Sequence, residues 1–136
     1  MGIEYSEFYL SDILNEVKTI AVVGASSKKH RDSYKVMQSL IENGYKVFPI
    51  NPNESGKNIL NLECLPNLDA VKENIDMVDI FRAHDAVMGV TKDAIKIGAK
   101  VLWMQEGIVH QEAADLAISA GLRVVMDRCP KKELNK

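Results

Sequence analysis

A glycine followed two residues later by a basic residue and valine occurs three times in this chain. The three copies begin at Gly44, Gly98 and Gly121, each at the end of a segment with apolar residues at helical spacing. Glycine just after a helical pattern is typical of a helix C-terminus, because glycine adopts positive φ at no steric cost. The repeated pattern therefore predicts three helices that each lead directly into a β-strand.

The predicted strands are short and apolar at successive positions, as in strands that are covered on both faces. They occupy five segments: 20–23, 47–50, 77–81, 101–104 and 124–126. Strands that alternate with amphipathic helices indicate an α/β fold. We expect an open parallel sheet of five to six strands with helices on both faces, in three α/β/α layers, joined by right-handed crossovers.

The two ends of the chain are predicted to flank this sheet. Four apolar positions at helical spacing indicate an N-terminal helix within residues 1–18: Leu10, Ile13, Leu14 and Val17. Its cap is predicted at Ser11 or Asp12. The polar residues 131–136 are expected to form a frayed tail. At 136 residues, the chain is expected to be a single domain over 1–136.

Between the second and third long strands the regular alternation lapses. Residues 51–69 contain two prolines, a glycine and five asparagines, a composition typical of a loop. We expect one short edge strand near residues 59–62 and a brief helix over 68–74.

The composition argues against several classes of partner. With 17 basic and 19 acidic residues the formal charge is −2, so no global field favours nucleic acid or a membrane surface. The N-terminal residues lack the apolar block of a signal peptide, which favours a cytoplasmic protein. Cys64 and Cys129 are far apart and have no metal-site spacing, so we interpret both as reduced thiols without a metal.

A basic, hydroxyl-bearing loop follows the first predicted strand. The strand ends at Gly24, and the loop carries three cationic side chains: Lys28, Lys29 and Arg31. A glycine turn lets the backbone approach a ligand, and the following helix offers free N–H groups at the positive end of its dipole. We interpret the loop as a phosphate-binding turn; the alternative is an ordinary strand-to-helix connection whose charges face water.

The details of this turn favour some nucleotides over others. Gly24 is followed by Ala25 and Ser26, so the GxGxxG pattern of dinucleotide sites is incomplete, and the P-loop pattern is absent. Dinucleotide sites also place a carboxylate at the end of the second strand, where this chain has Asn51. A carboxylate there would repel a phosphorylated ribose, so its absence permits coenzyme A or NADP. Five cations on the predicted mouth loops could offset part of that charge: Lys28, Lys29, Arg31, Lys57 and Arg82.

Several motifs together resemble one family. They are Ala21-Val22-Val23-Gly24, Pro49-Ile50-Asn51-Pro52, Val78-Asp79-Ile80-Phe81-Arg82, Trp103-Met104-Gln105-Glu106-Gly107-Ile108 and Asp127-Arg128-Cys129-Pro130. The chain resembles the small, stand-alone CoA-binding proteins of the Rossmann-like type, related to the CoA-binding domains of the succinyl-CoA synthetase α subunit and of ADP-forming acyl-CoA synthetases. The resemblance implies twelve ligand contacts: Gly24, Ala25, Ser26, Arg31, Ser33, Tyr34, Asn51, Pro52, Phe81, Arg82, Gln105 and Gly107.

The expected function is binding of coenzyme A or an acyl-CoA without catalysis, as a sensor or accessory subunit that docks on a partner enzyme. The alternative is an NADP-binding, oxidoreductase-like protein. The synthetases use a phosphorylated histidine in a further domain, which this chain lacks the length to contain. His110 is expected to cap a helix or face solvent. An exposed apolar helix face would also allow a homodimer.

Three further residues carry expectations of their own. Asp79 lies within an apolar strand and is expected to be paired, with Arg128 as the candidate partner. Ser33 is either a ligand contact or a helix N-cap. Cys129 is expected near the mouth of the site, as a buried structural thiol or as a partner for the CoA thiol.

Overall fold

The computed structural model describes residues 3–136; Met1 and Gly2 of the predicted 1–136 span lie outside the described residues. Within residues 3–136, a parallel five-stranded sheet has the order β2-β1-β5-β6-β7. Its strands are β1 (Thr19–Val23), β2 (Lys46–Ile50), β5 (Met77–Ile80), β6 (Val101–Met104) and β7 (Arg123–Val125). The predicted α/β fold with an open parallel sheet is confirmed.

Helices cover both faces of the sheet. They are α1 (Glu7–Glu16), α2 (Asp32–Glu42), α3 (His84–Lys96), α4 (Gln111–Ser119) and α5 (Pro130–Leu134). Buried residues of α1 and α2 belong to one apolar cluster, whereas those of α3 and α4 belong to another. Along β1, Ile20 and Val22 face the first cluster while Ala21 and Val23 face the second. This alternation explains why most successive strand positions are apolar.

The three repeated glycines end helices as predicted. Gly44, Gly98 and Gly121 have φ of +91°, +78° and +93° and directly follow the C-cap residues of α2, α3 and α4. Each strand then begins within three residues, because positive φ reverses the chain towards the sheet.

Four local predictions need correction. Helix α1 begins earlier than expected, because Ser6 rather than Ser11 or Asp12 is its cap and accepts a hydrogen bond from the Tyr9 N–H (3.0 Å). The single edge strand near 59–62 is instead an antiparallel hairpin of β3 (Asn58–Ile59) and β4 (Leu62–Glu63). Leu60 and Asn61 form its turn with positive φ, which is the geometry of a two-residue hairpin loop. The helix over 68–74 is one short 3₁₀ turn, Leu68–Ala70.

The C-terminal residues are helical rather than frayed. Pro130 is the first residue of α5, a position that suits proline because its missing N–H is not needed there. Leu134 packs against the same apolar cluster as α1 and α2. Apolar burial at two positions of an otherwise charged segment therefore orders it.

Strand order places the candidate site. From β1 the chain first moves to β2 on one side and later to β5 on the other. The loops that follow β1 and β5 therefore diverge, and a crevice forms at this switch point. None of the helices between residues 3 and 136 has the length and apolar character needed to cross a bilayer.

Candidate functional site

Gly24 lines the crevice and lies directly against the backbone of Phe81. Its φ is +96°, and a Cβ at this position would lie 2.2 Å from the backbone oxygen of Phe81. Its N–H and that of Ala25 both donate to Ile50 O, at 2.9 and 3.2 Å. The turn after β1 is thus held between β2 and β5, and only glycine fits there.

Helix α2 begins in this crevice without a capping side chain. Arg31 is the N-cap residue and its side chain makes no cap hydrogen bond. Among the described residues, the N–H groups of Asp32, Ser33 and Tyr34 have no protein acceptor. Ser33 is not the N-cap, because it is the second residue of α2 and is buried. The open amides and the helix dipole make this end of α2 suited to an anion.

A first cleft of about 560 Å³ surrounds the turn and the start of α2. Eight of the predicted contacts line it: Gly24, Ala25, Ser26, Arg31, Ser33, Asn51, Phe81 and Arg82. These residues come from three separate loops, after β1, β2 and β5. The fold therefore brings together predicted contact residues that are far apart in the chain.

Asn51 ties two of these loops together. Its Nδ2 donates to Ala25 O (2.8 Å), and its Oδ1 accepts from the Asn53 N–H (2.9 Å). Both polar ends of the side chain are therefore used within the protein. Asn51 positions the glycine turn in addition to lining the cleft.

Glu54 is a functional candidate that the sequence analysis missed. Its two carboxylate oxygens accept hydrogen bonds from the Ser27 N–H and the Ser27 Oγ, both at 2.7 Å. These bonds to Ser27, with Lys57 and Lys28 nearby, lower the pKa of the Glu54 carboxyl. Asn51 rather than a carboxylate follows β2, as expected, but Glu54 in the next turn brings a carboxylate into the first cleft. The position of Glu54, four residues after β2, differs from that of the carboxylate at the end of the second strand in dinucleotide sites, so that pattern does not point to it.

The charge of the first cleft is therefore mixed. Its cations are Lys28, Arg31 and Arg82, and its carboxylates are Glu54 and Asp32. The three cations outnumber the two carboxylates, so the lining side chains carry a formal charge of +1. Two predicted mouth cations, Lys29 and Lys57, are not part of the lining.

A second cleft of about 520 Å³ adjoins the first, and the two share Asp32, Phe81 and Arg82. Gln105 lies in its wall and is only 5% exposed. Cys129, a buried free thiol, also lines it, at the position expected for the mouth of the site. The two clefts together form a continuous groove along the carboxyl edge of the sheet.

Three predicted contacts are not brought into either cleft. Pro52 begins the 3₁₀ turn after β2, and Tyr34 packs partly against the apolar cluster under α2. Gly107 has φ of +84°, and its N–H donates to Asp127 Oδ1 at 2.7 Å. The structure gives each of these residues a local structural role, so their part in ligand binding stays a prediction.

His110 is the N-cap of α4, one of the two places expected for it. Its Nδ1 accepts a hydrogen bond from the Ala113 N–H (3.1 Å). Its ring stacks on that of His84, with 4.3 Å between centroids. The imidazole thus links the starts of α3 and α4.

Asp79 is not paired with Arg128, contrary to prediction. The guanidinium of Arg128 donates to the backbone oxygens of Asp127 and Ile3 and lies over the ring of Tyr5. Asp79 is fully buried, and neither carboxyl oxygen has a hydrogen-bond partner in the described part of the chain. Burial raises the pKa of this carboxyl well above its ordinary value and so favours its neutral form.

An open parallel sheet with a glycine turn at its switch point defines the Rossmann-like class of α/β proteins. Comparison with known sequences assigns the chain to one family within this class. Residues 18–135 match the family described as CoA binding domain, and the chain belongs to this family.

Relatives of two kinds support this membership. The chain is 32% identical over 126 residues to the uncharacterized protein YneT of Bacillus subtilis, covering 93% of this chain and 92% of that protein. A structure of a hypothetical protein from Pyrococcus horikoshii is 36% identical and superposes with a TM-score of 0.92, covering 99% of this chain and 97% of that one. An ADP-forming acetate–CoA ligase of Archaeoglobus fulgidus is 31% identical over 85 residues, which are 61% of this chain but only 12% of the ligase.

Proposed function

We propose that this protein binds coenzyme A or an acyl-CoA, with the ligand's diphosphate at the turn after β1 and the start of α2. Membership of the CoA binding domain family supports the identity of the ligand. The observation that carries the position is the uncapped start of α2, opposite a glycine that no other residue could replace.

The turn and helix fit a diphosphate for two reasons. The unpaired N–H groups of Asp32, Ser33 and Tyr34 supply donors, and the missing Cβ of Gly24 leaves the backbone accessible. Amides fixed by a helix direct the phosphates more precisely than mobile lysines do, since exposed ion pairs contribute only about 0–1 kcal/mol each.

Cations of the first cleft offset part of the ligand's charge. Coenzyme A carries a diphosphate and a 3′-phosphate, roughly −3.5 to −4 in total near neutral pH. Lys28, Arg31 and Arg82 line the cleft, and Glu54 is held at its wall by Ser27. The 3′-phosphate is therefore expected on the side of the cleft away from Glu54.

The proposed role is binding without a chemical step by this chain. His110 caps α4 and so serves a structural purpose. We further propose that the complex acts as a sensor or accessory subunit, in which the bound CoA alters docking on a partner enzyme. Pull-downs from a lysate with and without added CoA test this role, and a set of captured proteins that is identical in both conditions would contradict it.

Calorimetry on ligand-free protein tests the binding proposal. We expect CoA to bind more tightly than dephospho-CoA, because the 3′-phosphate adds charge that the cations of the first cleft attract. NADP and NAD serve as further ligands in the same experiment. Absence of CoA binding would refute the proposal, and tighter binding of NADP than of CoA would favour the oxidoreductase-like alternative.

A further inference from the structure

Two buried polar side chains beneath the second cleft have atoms without a hydrogen-bond partner among the described residues. Both carboxyl oxygens of Asp79 and the Oε1 atom of Gln105 are unpaired and shielded from solvent. The great majority of buried polar side-chain atoms in proteins have a partner. These unpaired atoms therefore indicate that a bound water or ligand completes the arrangement.

The strand register places the two residues on the same face of the sheet. Asp79 of β5 lies directly opposite Trp103 of β6. Gln105 follows two residues later, and its backbone N–H continues the ladder by donating to Ile80 O (3.3 Å). Because side chains alternate along a strand, Gln105 points to the same face as Trp103 and is a diagonal neighbour of Asp79.

The chemistry of the two groups is complementary. Asp79 is fully buried and has no cation or donor beside it among the described residues, which favours the protonated carboxyl with an O–H to donate. The Gln105 Oε1 atom is an acceptor without a donor. An O–H from Asp79, directly or through one buried water, would give the Gln105 Oε1 atom a donor and one of the two Asp79 oxygens a partner.

The same hydrogen bond determines which polar group of the Gln105 side chain is available to a ligand in the cleft. If Oε1 is bound to Asp79, the Nε2 amino group is the end of the side chain that remains for a ligand. Gln105 lines the second cleft, and an amide N–H₂ donates to oxygen acceptors. The pantetheine amides and the thioester of an acyl-CoA both carry carbonyl oxygens.

We propose that Asp79 and Gln105 form one buried pair, in which Asp79 orients the Gln105 amide so that Nε2 donates to a carbonyl oxygen of the ligand in the second cleft. This inference rests on the proposed binding of CoA. Gln105 is then a specificity-determining contact for the non-nucleotide half of the ligand, and Asp79 is a positioning residue that acts through it.

Calorimetry with three ligands separates the two halves of the ligand: CoA, acetyl-CoA and adenosine 3′,5′-bisphosphate. We expect Gln105→Met to weaken CoA and acetyl-CoA by about five- to ten-fold, the effect of losing one hydrogen bond. Adenosine 3′,5′-bisphosphate should bind unchanged. Loss confined to acetyl-CoA would assign the thioester carbonyl, and loss for both would assign a pantetheine amide. An equal loss for all three ligands, or none, would overturn the proposal.

Asp79 offers a matched pair of variants. Asp79→Asn keeps a hydrogen-bond donor and should retain CoA affinity, whereas Asp79→Val should weaken CoA as much as Gln105→Met does. The double variant of Asp79→Val and Gln105→Met should be no weaker than either single variant, because both remove the same contact. CoA affinity of Asp79→Val equal to that of the wild type would overturn the role of Asp79.

NMR of the wild-type protein provides a measurement that needs no variant to fold. We expect the ¹³C carboxyl resonance of Asp79 to report a protonated acid at pH 7, and the Gln105 side-chain amide resonances to shift with CoA but not with adenosine 3′,5′-bisphosphate. An ionised Asp79 at pH 7 would refute the pair even if CoA binds. Absence of binding for all three ligands would refute the proposed function instead, while the resonance of Asp79 in the free protein would still test the pair.

Discussion

Helices α2 and α4 begin at the same edge of the sheet, but their N-termini are capped differently. His110 caps α4 by accepting from the Ala113 N–H, whereas α2 has no capping side chain. An N-cap contributes about 1 kcal/mol, so the missing cap leaves α2 less stable than it could be. Natural proteins accept such a loss at binding sites. The difference supports the proposed ligand site at the start of α2.

The loops before these two helices are, by contrast, held in the same way. Ser27 is bound by Glu54, and the Gly107 N–H is bound by Asp127. In each case a carboxylate from a neighbouring loop fixes the approach to the helix. Helix α3 also starts without a side-chain cap, but its first residues do not line either cleft. At α2, a loop that is held by hydrogen bonds therefore leads into a helix whose first N–H groups are unpaired.

The largest expected effect comes from Gly24→Ala. The new Cβ would meet Phe81 O at 2.2 Å and would also strain a positive φ, so we expect a loss of about 2–4 kcal/mol in the free energy of unfolding. CoA affinity should fall more than about 100-fold, since the turn must move. Denaturant unfolding and calorimetry measure the two effects.

Gly121→Ala is the matched control for that change. Gly121 has a similar φ of +93°, and nothing lies within 4 Å of an added Cβ. This variant should lose only about 1 kcal/mol through backbone strain and should bind CoA normally. Equal losses of CoA affinity in both variants would show that the close approach at Phe81 is not what matters.

Arg31→Ser tests whether the open amides of α2 bind the ligand. Serine at the N-cap should accept a hydrogen bond from the first turn and stabilise the helix by about 1 kcal/mol relative to Arg31→Ala. Both variants lose the same cation, so their difference isolates the cap. We expect CoA to bind about ten-fold more weakly to Arg31→Ser than to Arg31→Ala, by calorimetry. The opposite order would exclude the amides as the diphosphate site.

The Glu54→Gln variant tests whether Glu54 holds the loop before α2. The test uses the pH dependence of the free energy of unfolding. The pKa of Glu54 is lowered in the folded protein, so its contribution to stability is present above its ordinary pKa of 4.5 and is lost as pH falls through the folded pKa. We expect the variant to be less stable by about 1 kcal/mol at pH 7. The difference should vanish in acid, as measured by urea unfolding from pH 7 to pH 3. A difference that stays constant with pH would assign the effect to packing.

His110→Ala is expected to have the smallest effect. Loss of the α4 cap should lower the free energy of unfolding by about 0.5–1 kcal/mol and should leave CoA affinity unchanged. Thermal unfolding with calorimetry measures both. A large loss of CoA binding would mean that α4, and not α2 alone, serves the site.

The elements that depend on short windows of chain could be predicted from the amino-acid sequence alone. Positive φ at the glycine ends of helices and apolar runs in strands act locally, so the sheet and its covering helices could be predicted from residues such as Gly44 and Ile20. The glycine turn at Gly24 was found for the same reason. Eight of the twelve proposed contacts line one cleft, because parallel strands deliver their carboxyl ends to one edge.

The hydrogen bonds between loops, by contrast, depend on the tertiary structure. The two bonds from Ser27 to Glu54 and the unpaired carboxyl of Asp79 depend on segments that are distant in sequence. Helix α5 is ordered by burial of Leu134 against α1 and α2, which its charged sequence does not reveal. Local conformational preferences depend on neighbouring residues. Hydrogen-bond partners and burial depend instead on which distant segments come into contact when the chain folds.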